Sequence, residues 1–516
     1  MALLIFATLI VVFRWHTYNE PLERDITTYA IIGHELLAGR PLYCDLWDHK
    51  PPAIYLTYAL GELFFAYGNS AVYALNVIAA IVTLIAVYIA GLRYSGGVVT
   101  GLIAAAFWVL LSQSLRLEAN QPNSEAFINC CLAIIFAILI NSKRLGKKII
   151  FFTGLVTAWA SLYKPIALLP VCFLLTARIV FFVSQTRKEY FKEAASIATI
   201  TVLVWFVVAM WFMFTGSFPD FYQAVFVFNA LYMQECSFSL QTCLQWLCWG
   251  FALDSYVRAI LAISTVIAII KIIRRGPLYK LWIAWLAYLV GIVIAIILQN
   301  HPFAHYFQLT LPMAAVGCAW GLNSLQSVFR YTVLYICIVL ATISLLLYDR
   351  MKDLFLPANE WSQRKYFTLF VDQREMGEKL KSLLFPNETL YVWGKSPGLY
   401  FYGQRRPASG LLYNDPLTGG PFTEKLSARV IEQLSTKQPP LIIYSCDTNK
   451  NEADKIIDDR YRGQAMAQYP VTAWIACHYC FYKMIEIDRR YFALFLLPNS
   501  RIYSQLRSPA TNNISY

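Results

Sequence analysis

The chain has 516 residues, of which 58% are hydrophobic, 16% aromatic and only 14% charged. A soluble globular domain carries about a quarter charged residues, so the whole chain is not one soluble enzyme. The net charge of +12 does not mark a nucleic-acid binder either, because many of its basic residues sit in short connections between apolar runs.

Long unbroken apolar runs are the mark of helices that cross a bilayer. Eleven are expected, at 1–15, 70–92, 98–114, 124–141, 149–163, 165–184, 195–215, 256–273, 280–298, 303–322 and 331–348. The first is short for a crossing. It lacks a basic leader and a small-residue cleavage site, so it reads as a retained span rather than a signal peptide.

The connection 16–69 is the longest polar-bearing stretch near the start. Asp25 is placed to cap a helix from about Ile26 to Ala38, with Gly39 as the residue that ends it. Tyr29, Ile32, Gly33, Leu36 and Leu37 share one face of it, which suits a helix lying on a membrane surface. A second helix begins at Pro51-Pro52, where missing N–H groups cost nothing, and ends before Gly68. Between them runs an acidic, aromatic segment from Tyr43 to Lys50, in which Asp45 reads as part of a solvated loop.

Orientation follows from Lys and Arg. The connections 93–97, 142–148, 185–194, 271–280 and 323–330 hold thirteen basic residues in forty positions, Lys143 and Arg330 among them. The opposite set holds five in 108. By the positive-inside rule the first set is cytoplasmic, so 16–69 faces outside, and with eleven spans the remainder of the chain does too.

Polar residues return after Tyr348. Arg350 onward reads as a small α/β domain, bounded at 349–500, with 501–516 as a loose tail. Helical periodicity covers Trp361–Leu384. A strand is expected at Thr389–Val392, a helix–strand unit at Ala428–Leu434 and Leu441–Tyr444, and a pair of strands at Tyr482–Ile487 and Tyr491–Leu497.

Of the twelve cysteines, Cys130, Cys131, Cys172 and Cys318 fall within spans and read as packing residues. Cys477-His-Tyr-Cys480 lacks a second pair at zinc-site spacing. A disulfide, within the motif or to Cys446, is the better reading in an oxidising compartment. Cys236, Cys243 and Cys248, in one outer loop, invite the same expectation. There is no Walker-type phosphate loop and no G-x-S-x-G, which argues against ATP hydrolysis and a serine hydrolase.

The stretch Glu20 to Gly68 resembles the first large loop of the polyprenyl-phosphate-dependent membrane glycosyltransferases of the GT-C type. These include protein O-mannosyltransferases and lipid A aminoarabinose transferases, whose loop often reads E-R-D-E-x-x-Y-A-x-x-G…G-x-x-x-Y-x-D-x-x-D-x-K-P-P. Glu23-Arg24-Asp25, Tyr29-Ala30, Gly33, Gly39, Tyr43, Asp45, Asp48 and Lys50-Pro51-Pro52 fall in register. Ile26 departs from it, standing where relatives often carry a second acid. Asn123-x-Glu125-x-Phe127 and His305-Tyr306 with Pro312 beyond also have counterparts in relatives.

The resemblance implies a transmembrane glycosyltransferase domain over 1–348 and an extracytoplasmic domain after it. The donor would be a sugar on a polyprenyl phosphate, transferred with inversion on the outer face of the cytoplasmic membrane to a lipid, glycan or protein acceptor. In relatives the acid matching Asp25 is the proposed base, and transfer to a hydroxyl or amine needs one. Asp48, Glu125 and His305 are the candidates for acceptor or metal binding, and a divalent metal is left open. Lys50, Arg116 and Lys164 are the candidates for the donor phosphate, since a cation at the membrane mouth needs a partner and a phosphate is one. Tyr43 and Tyr306 are candidates for sugar or lipid contact. Each has a plainer use: a helix cap for Asp25, a first-turn acid for Glu125, snorkelling for Lys50, an interfacial aromatic belt for Tyr306. The rival from another class is a transporter or lipid-handling protein without chemistry. The missing internal repeat argues against it, and Ile26 leaves room for a scaffold that has lost activity.

Overall fold

The computed structural model describes residues 1–142, 144–181, 187–234, 239–276, 278–301, 303–326, 332–446 and 449–507. Lys143, Cys236, Arg330 and the tail from 508 onward, named above, lie outside the described residues. The protein is a multi-spanning helical membrane protein with a small sheet near its C-terminal end.

The chain divides into two compact units. The first comprises Met1–Asn19, His49–Thr57 and Phe64–Trp361. The second comprises Glu20–Asp48, Tyr58–Leu63 and the chain from Ser362.

Among the described residues each of the eleven expected spans in the first unit is helical, and six helices are long and apolar enough to cross a membrane: Asn69–Leu92, Ser124–Asn141, Arg187–Phe214, Ser255–Ile273, Tyr279–Leu298 and Val333–Leu354. Ala2–Phe13, Val98–Leu111 and Pro165–Phe181 are shorter apolar helices. The helix at Leu311–Gln326 is led in by a tight turn of helix, Ala304–Thr310. Their inner faces meet on aromatic side chains. Trp282, Trp285 and Trp320 are fully buried. Trp282 Nε1 donates to the Tyr94 hydroxyl (2.9 Å), Trp285 Nε1 to the Met313 carbonyl (2.9 Å), and the Tyr288 hydroxyl to the Leu132 carbonyl (2.7 Å). Trp282, Trp285 and Tyr288 thus bury their area with their donors met, whereas Trp320 Nε1 has no hydrogen-bond partner among the described residues. Close backbone approach does the rest. A Cβ on Gly91 would lie 2.7 Å from the Gly101 Cα, so this crossing needs a residue without one. Outward, Val202, Leu203, Phe206, Val207 and Trp211 are exposed along Arg187–Phe214, an apolar surface fit for lipid rather than water.

The second unit centres on a four-stranded sheet in the order β1-β2-β4-β3. β1 (Leu390–Trp393) and β2 (Leu441–Ser445) are parallel, with the helix Thr423–Lys437 in the connection between them. β2 pairs antiparallel with β4 (Arg490–Leu496), which pairs antiparallel with β3 (Cys480–Ile487). β1 and β2 are buried throughout, as continuous apolar strands should be. All four expected strands are present, and Asp488, with φ +51°, closes the β3–β4 hairpin. The periodic stretch 361–384 is two helices, Ala358–Tyr366 and Leu369–Leu383, parted at Phe367, where φ is +55°.

Four local expectations need correction. The helix near the start runs Arg24–Leu37 and its cap is Glu23, whose carboxylate accepts from the Asp25 N–H (3.0 Å); Asp25 lies in the first turn. Gly39, φ +85°, does end it, in a conformation that glycine adopts at no steric cost. The face bearing Tyr29, Ile32 and Gly33 is buried inside the second unit rather than laid on a membrane, and only Leu37 of that stripe is exposed. Cys477 and Cys480 form no disulfide: Cys477 is in the last turn of Pro470–His478, Cys480 opens β3, and extended backbone at Tyr479 intervenes. Cys243 and Cys248 carry no disulfide either.

Candidate active site

Asp25 enters the second unit on the first turn of Arg24–Leu37, where the unpaired N–H groups of a helix start favour a negative charge. The Tyr29 hydroxyl, one turn on, donates to its Oδ2 (3.2 Å). The Arg24 guanidinium stands 3.4 Å from its Oδ1 and 3.6 Å from Asp415. Lys395 reaches the other Asp415 oxygen at 2.5 Å. Arg24 also lies over the Tyr413 ring, 5.8 Å from its centroid, and the Tyr413 hydroxyl donates to Asp48 (2.7 Å). Burial works against the Arg24 charge, but Asp25, Glu23 and Asp415 outweigh it and keep the guanidinium firmly protonated. Asp25 itself keeps 18% of its side chain exposed, so its carboxylate is anchored on one side and reachable on another.

Ile26 is 1% exposed. An acid there would be buried without a charge partner, at several kcal/mol, so the apolar residue answers to packing at this position.

The segment Tyr43 to Asp48 is not a solvated loop. Arg40 grips Asp45 through two parallel bonds (2.7 and 2.8 Å), and Gln433 donates to the same carboxylate (2.7 Å). Arg40 also reaches Glu35 (3.0 Å), which Arg406 binds twice (2.9 and 2.8 Å). Glu35 is fully buried. Burial pushes both carboxyls up, yet the guanidinium bonds prevail and hold Glu35 and Asp45 below the usual carboxylate range. The backbone is fixed as well: Trp47 N donates to the Gly410 carbonyl (3.0 Å), and Arg429 to the Tyr43 carbonyl (2.9 Å). Tyr43, expected to touch sugar or lipid, is fully buried with φ +69°. A bulky residue persists in that conformation only where its surroundings over-determine it, so Tyr43 helps to hold the loop's shape. Asp48 is 2% exposed and serves as the Tyr413 acceptor.

A second cluster forms within the first unit. Asn123 caps the helix Ser124–Asn141 and places Glu125 in its first turn, fully buried. Lys164 breaks the helical path between Lys147–Tyr163 and Pro165–Ala167. Its ammonium pairs with Glu125 Oε1, donates to Gln299 Oε1 (3.1 Å), and lies 4.4 Å from the Tyr306 ring centroid. Ser124 Oγ donates to the other Glu125 oxygen (3.0 Å). His305 Nδ1 is 3.2 Å from Glu118 Oε2, and Gln308 donates to the Glu118 carbonyl (3.0 Å). Glu125, Lys164 and Tyr306 thus lie together, with His305 against Tyr306. Glu118 and Gln299 were not singled out in the sequence, and only the ionisable type of Glu118 beside a span gave a signal.

Arg116 points elsewhere. It faces Asp349 (3.5 Å), which Arg350 also holds (3.0 Å), and Arg350 reaches the buried Asp254 at 2.5 Å. Lys50, also in the first unit, is 9% exposed.

The donors do not fit a divalent cation. Lys164 already occupies Glu125, His305 turns Nδ1 to Glu118, and no three His, Cys, Asp or Glu side chains are grouped for a metal among the described residues.

Asp372 gives the second unit a pH dependence of its own. It is 1% exposed, accepts from Thr368 (2.8 Å) and stands 3.6 Å from Arg490. Burial, helped by Asp488, pushes its carboxyl up to about 6. An acid raised on folding favours the protonated native form. Its penalty is absent below its unfolded pKa near 4, grows as pH rises toward about 6, and is constant above. Asp372→Asn is therefore expected to raise stability at pH 7 by roughly 1–3 kcal/mol and to flatten the pH 4–6 slope, as read by thermal unfolding across that range.

No family model matches the chain, and no curated protein does. Solved structures do. ArnT from Cupriavidus metallidurans bound to undecaprenyl phosphate superimposes with a TM-score of 0.64 at 13% identity, over 95% of this chain and 97% of that one. The same protein in the apo state gives 0.60 at 14% identity, over 98% of each. The chain therefore shares the fold of ArnT over nearly its whole length.

Proposed function

We propose that the protein is an inverting membrane glycosyltransferase that takes its sugar from a polyprenyl phosphate. The observation that carries the reading is Asp25: a carboxylate anchored by Arg24 and Tyr29 yet partly exposed, on a fold shared with a protein solved with undecaprenyl phosphate. In a single displacement the acceptor oxygen or nitrogen gives its proton to Asp25 and bonds to the anomeric carbon. The bond from that carbon to the phosphate oxygen breaks on the opposite face, and the lipid phosphate leaves with the electron pair. Lys164 supplies positive charge for that leaving group. Glu125 keeps Lys164 oriented until then. The bias of Lys and Arg toward one set of connections supports an outer-face reaction at the cytoplasmic membrane, with the lipid donor presented from the bilayer.

The test is turnover. Membranes containing the protein, given radiolabelled polyprenyl-phosphate sugars and total envelope acceptors, are expected to release free polyprenyl phosphate and move label to an acceptor. Folded protein that releases none with any donor would sink the reading.

A further inference from the structure

Gln121 lies between the two acids of the membrane cluster, on the short connection from Glu118 to Asn123. Its side chain is 1% exposed, and neither Oε1 nor Nε2 has a hydrogen-bond partner among the described residues. A buried amide left unmet destabilises the fold that holds it. The backbone around it is not loose. Gln121 N donates to the Glu118 carbonyl (3.4 Å), Ala119 N to the Ser114 carbonyl (2.9 Å), and Asn76 Nδ2 to the Asn120 carbonyl (2.7 Å). Glu118, which holds His305, takes φ +55°, a conformation uncommon for a residue with a side chain. The turn is thus pinned in an unusual shape that keeps an unmet amide inside, on the stretch between Glu118, which meets His305, and Asn123, which caps the helix bearing Glu125.

The amide's own chemistry narrows the ligand. It offers two N–H donors and two acceptor lone pairs. A phosphate or carboxylate would satisfy Nε2 and leave Oε1 orphaned. An ammonium group would do the reverse. A hydroxyl both donates and accepts, and two neighbouring hydroxyls meet the whole amide. We propose that Gln121 is a recognition residue for the sugar of the lipid-phosphate donor, bound through adjacent hydroxyls of its ring. This rests on the glycosyltransferase reading.

The test compares two probes on the full chain in nanodiscs: bare undecaprenyl phosphate, and undecaprenyl phosphate carrying mannose, glucose or aminoarabinose. Gln121→Met keeps the volume and removes both polar atoms. Its affinity for bare undecaprenyl phosphate is expected to match wild type, while its affinity for the sugar-bearing lipid that wild type prefers falls about 10- to 100-fold. In the second arm, wild type is expected to discriminate against a donor lacking one ring hydroxyl, and Gln121→Met to bind the full and deoxy donors alike. Equal losses on bare and sugar-bearing lipid, or no loss on either, would overturn the assignment. So would a Gln121→Met chain that fails to fold, because the amide would then be structural. A wild type that binds bare and sugar-bearing lipid equally would instead bring down the glycosyltransferase reading itself, and this assignment with it.

Discussion

Asp25→Asn is expected to lower sugar transfer by about 10²–10⁴-fold, the usual worth of a positioned general base. Donor affinity should change little, because the substitution keeps the shape of the side chain and removes only its charge and basicity. The fold should survive as well. Glu23, not Asp25, caps the helix, and Arg24 retains Asp415 at 3.6 Å. The loss of a first-turn acid costs about 0.3–1 kcal/mol. Release of radiolabelled polyprenyl phosphate, set beside a thermal unfolding curve, separates the two effects. Wild-type turnover in the variant would mean that the proton leaves by another route.

The largest effect on stability is expected at Lys164. Lys164→Met would leave Glu125 charged, fully buried and stripped of its cation, and breaking a buried pair from one side costs about 3–5 kcal/mol. Glu125→Gln together with Lys164→Met replaces the pair by neutral groups of similar size, so most of that stability should return. Affinity for undecaprenyl phosphate should not return, since the cation is gone in both variants. Unfolding in detergent and lipid binding, measured on both single variants and the double, form a cycle that isolates the pair. A double variant that regains donor binding would show that Lys164 serves the fold alone.

The membrane helices were open to reading because the bilayer imposes a simple rule: about twenty apolar residues in a row. The strands of the second unit were open for a similar reason, since buried parallel strands must be continuously apolar and 441–444 is. What stayed hidden depends on partners distant in sequence. Asp45 looked solvated although Arg40 is only five positions away, because Gln433, which completes its set of donors, lies 388 positions on. Glu35 gave no sign of being buried, since Arg406 is equally remote. The cap went to Asp25 instead of Glu23 because both precede the same apolar run. Glu125 and Lys164 were found because an ionisable residue at the mouth of a span is conspicuous in itself. Gln121 was not, because an amide has no charge to betray its burial.

The second unit is assembled from distant parts of the sequence: Arg24 with Asp415, Glu35 with Arg406, Trp47 with Gly410. A ribosome delivers the first of these parts long before the last. Until the chain has been made past residue 415, the segment bearing Asp25 has its local contacts to Glu23, Arg24 and Tyr29 but lacks the long-range ones to Asp415 and Arg406. The membrane helices of the first unit are thus all made before the second unit can be completed. A chain cut short before residue 415 would keep those helices and lack a finished second unit.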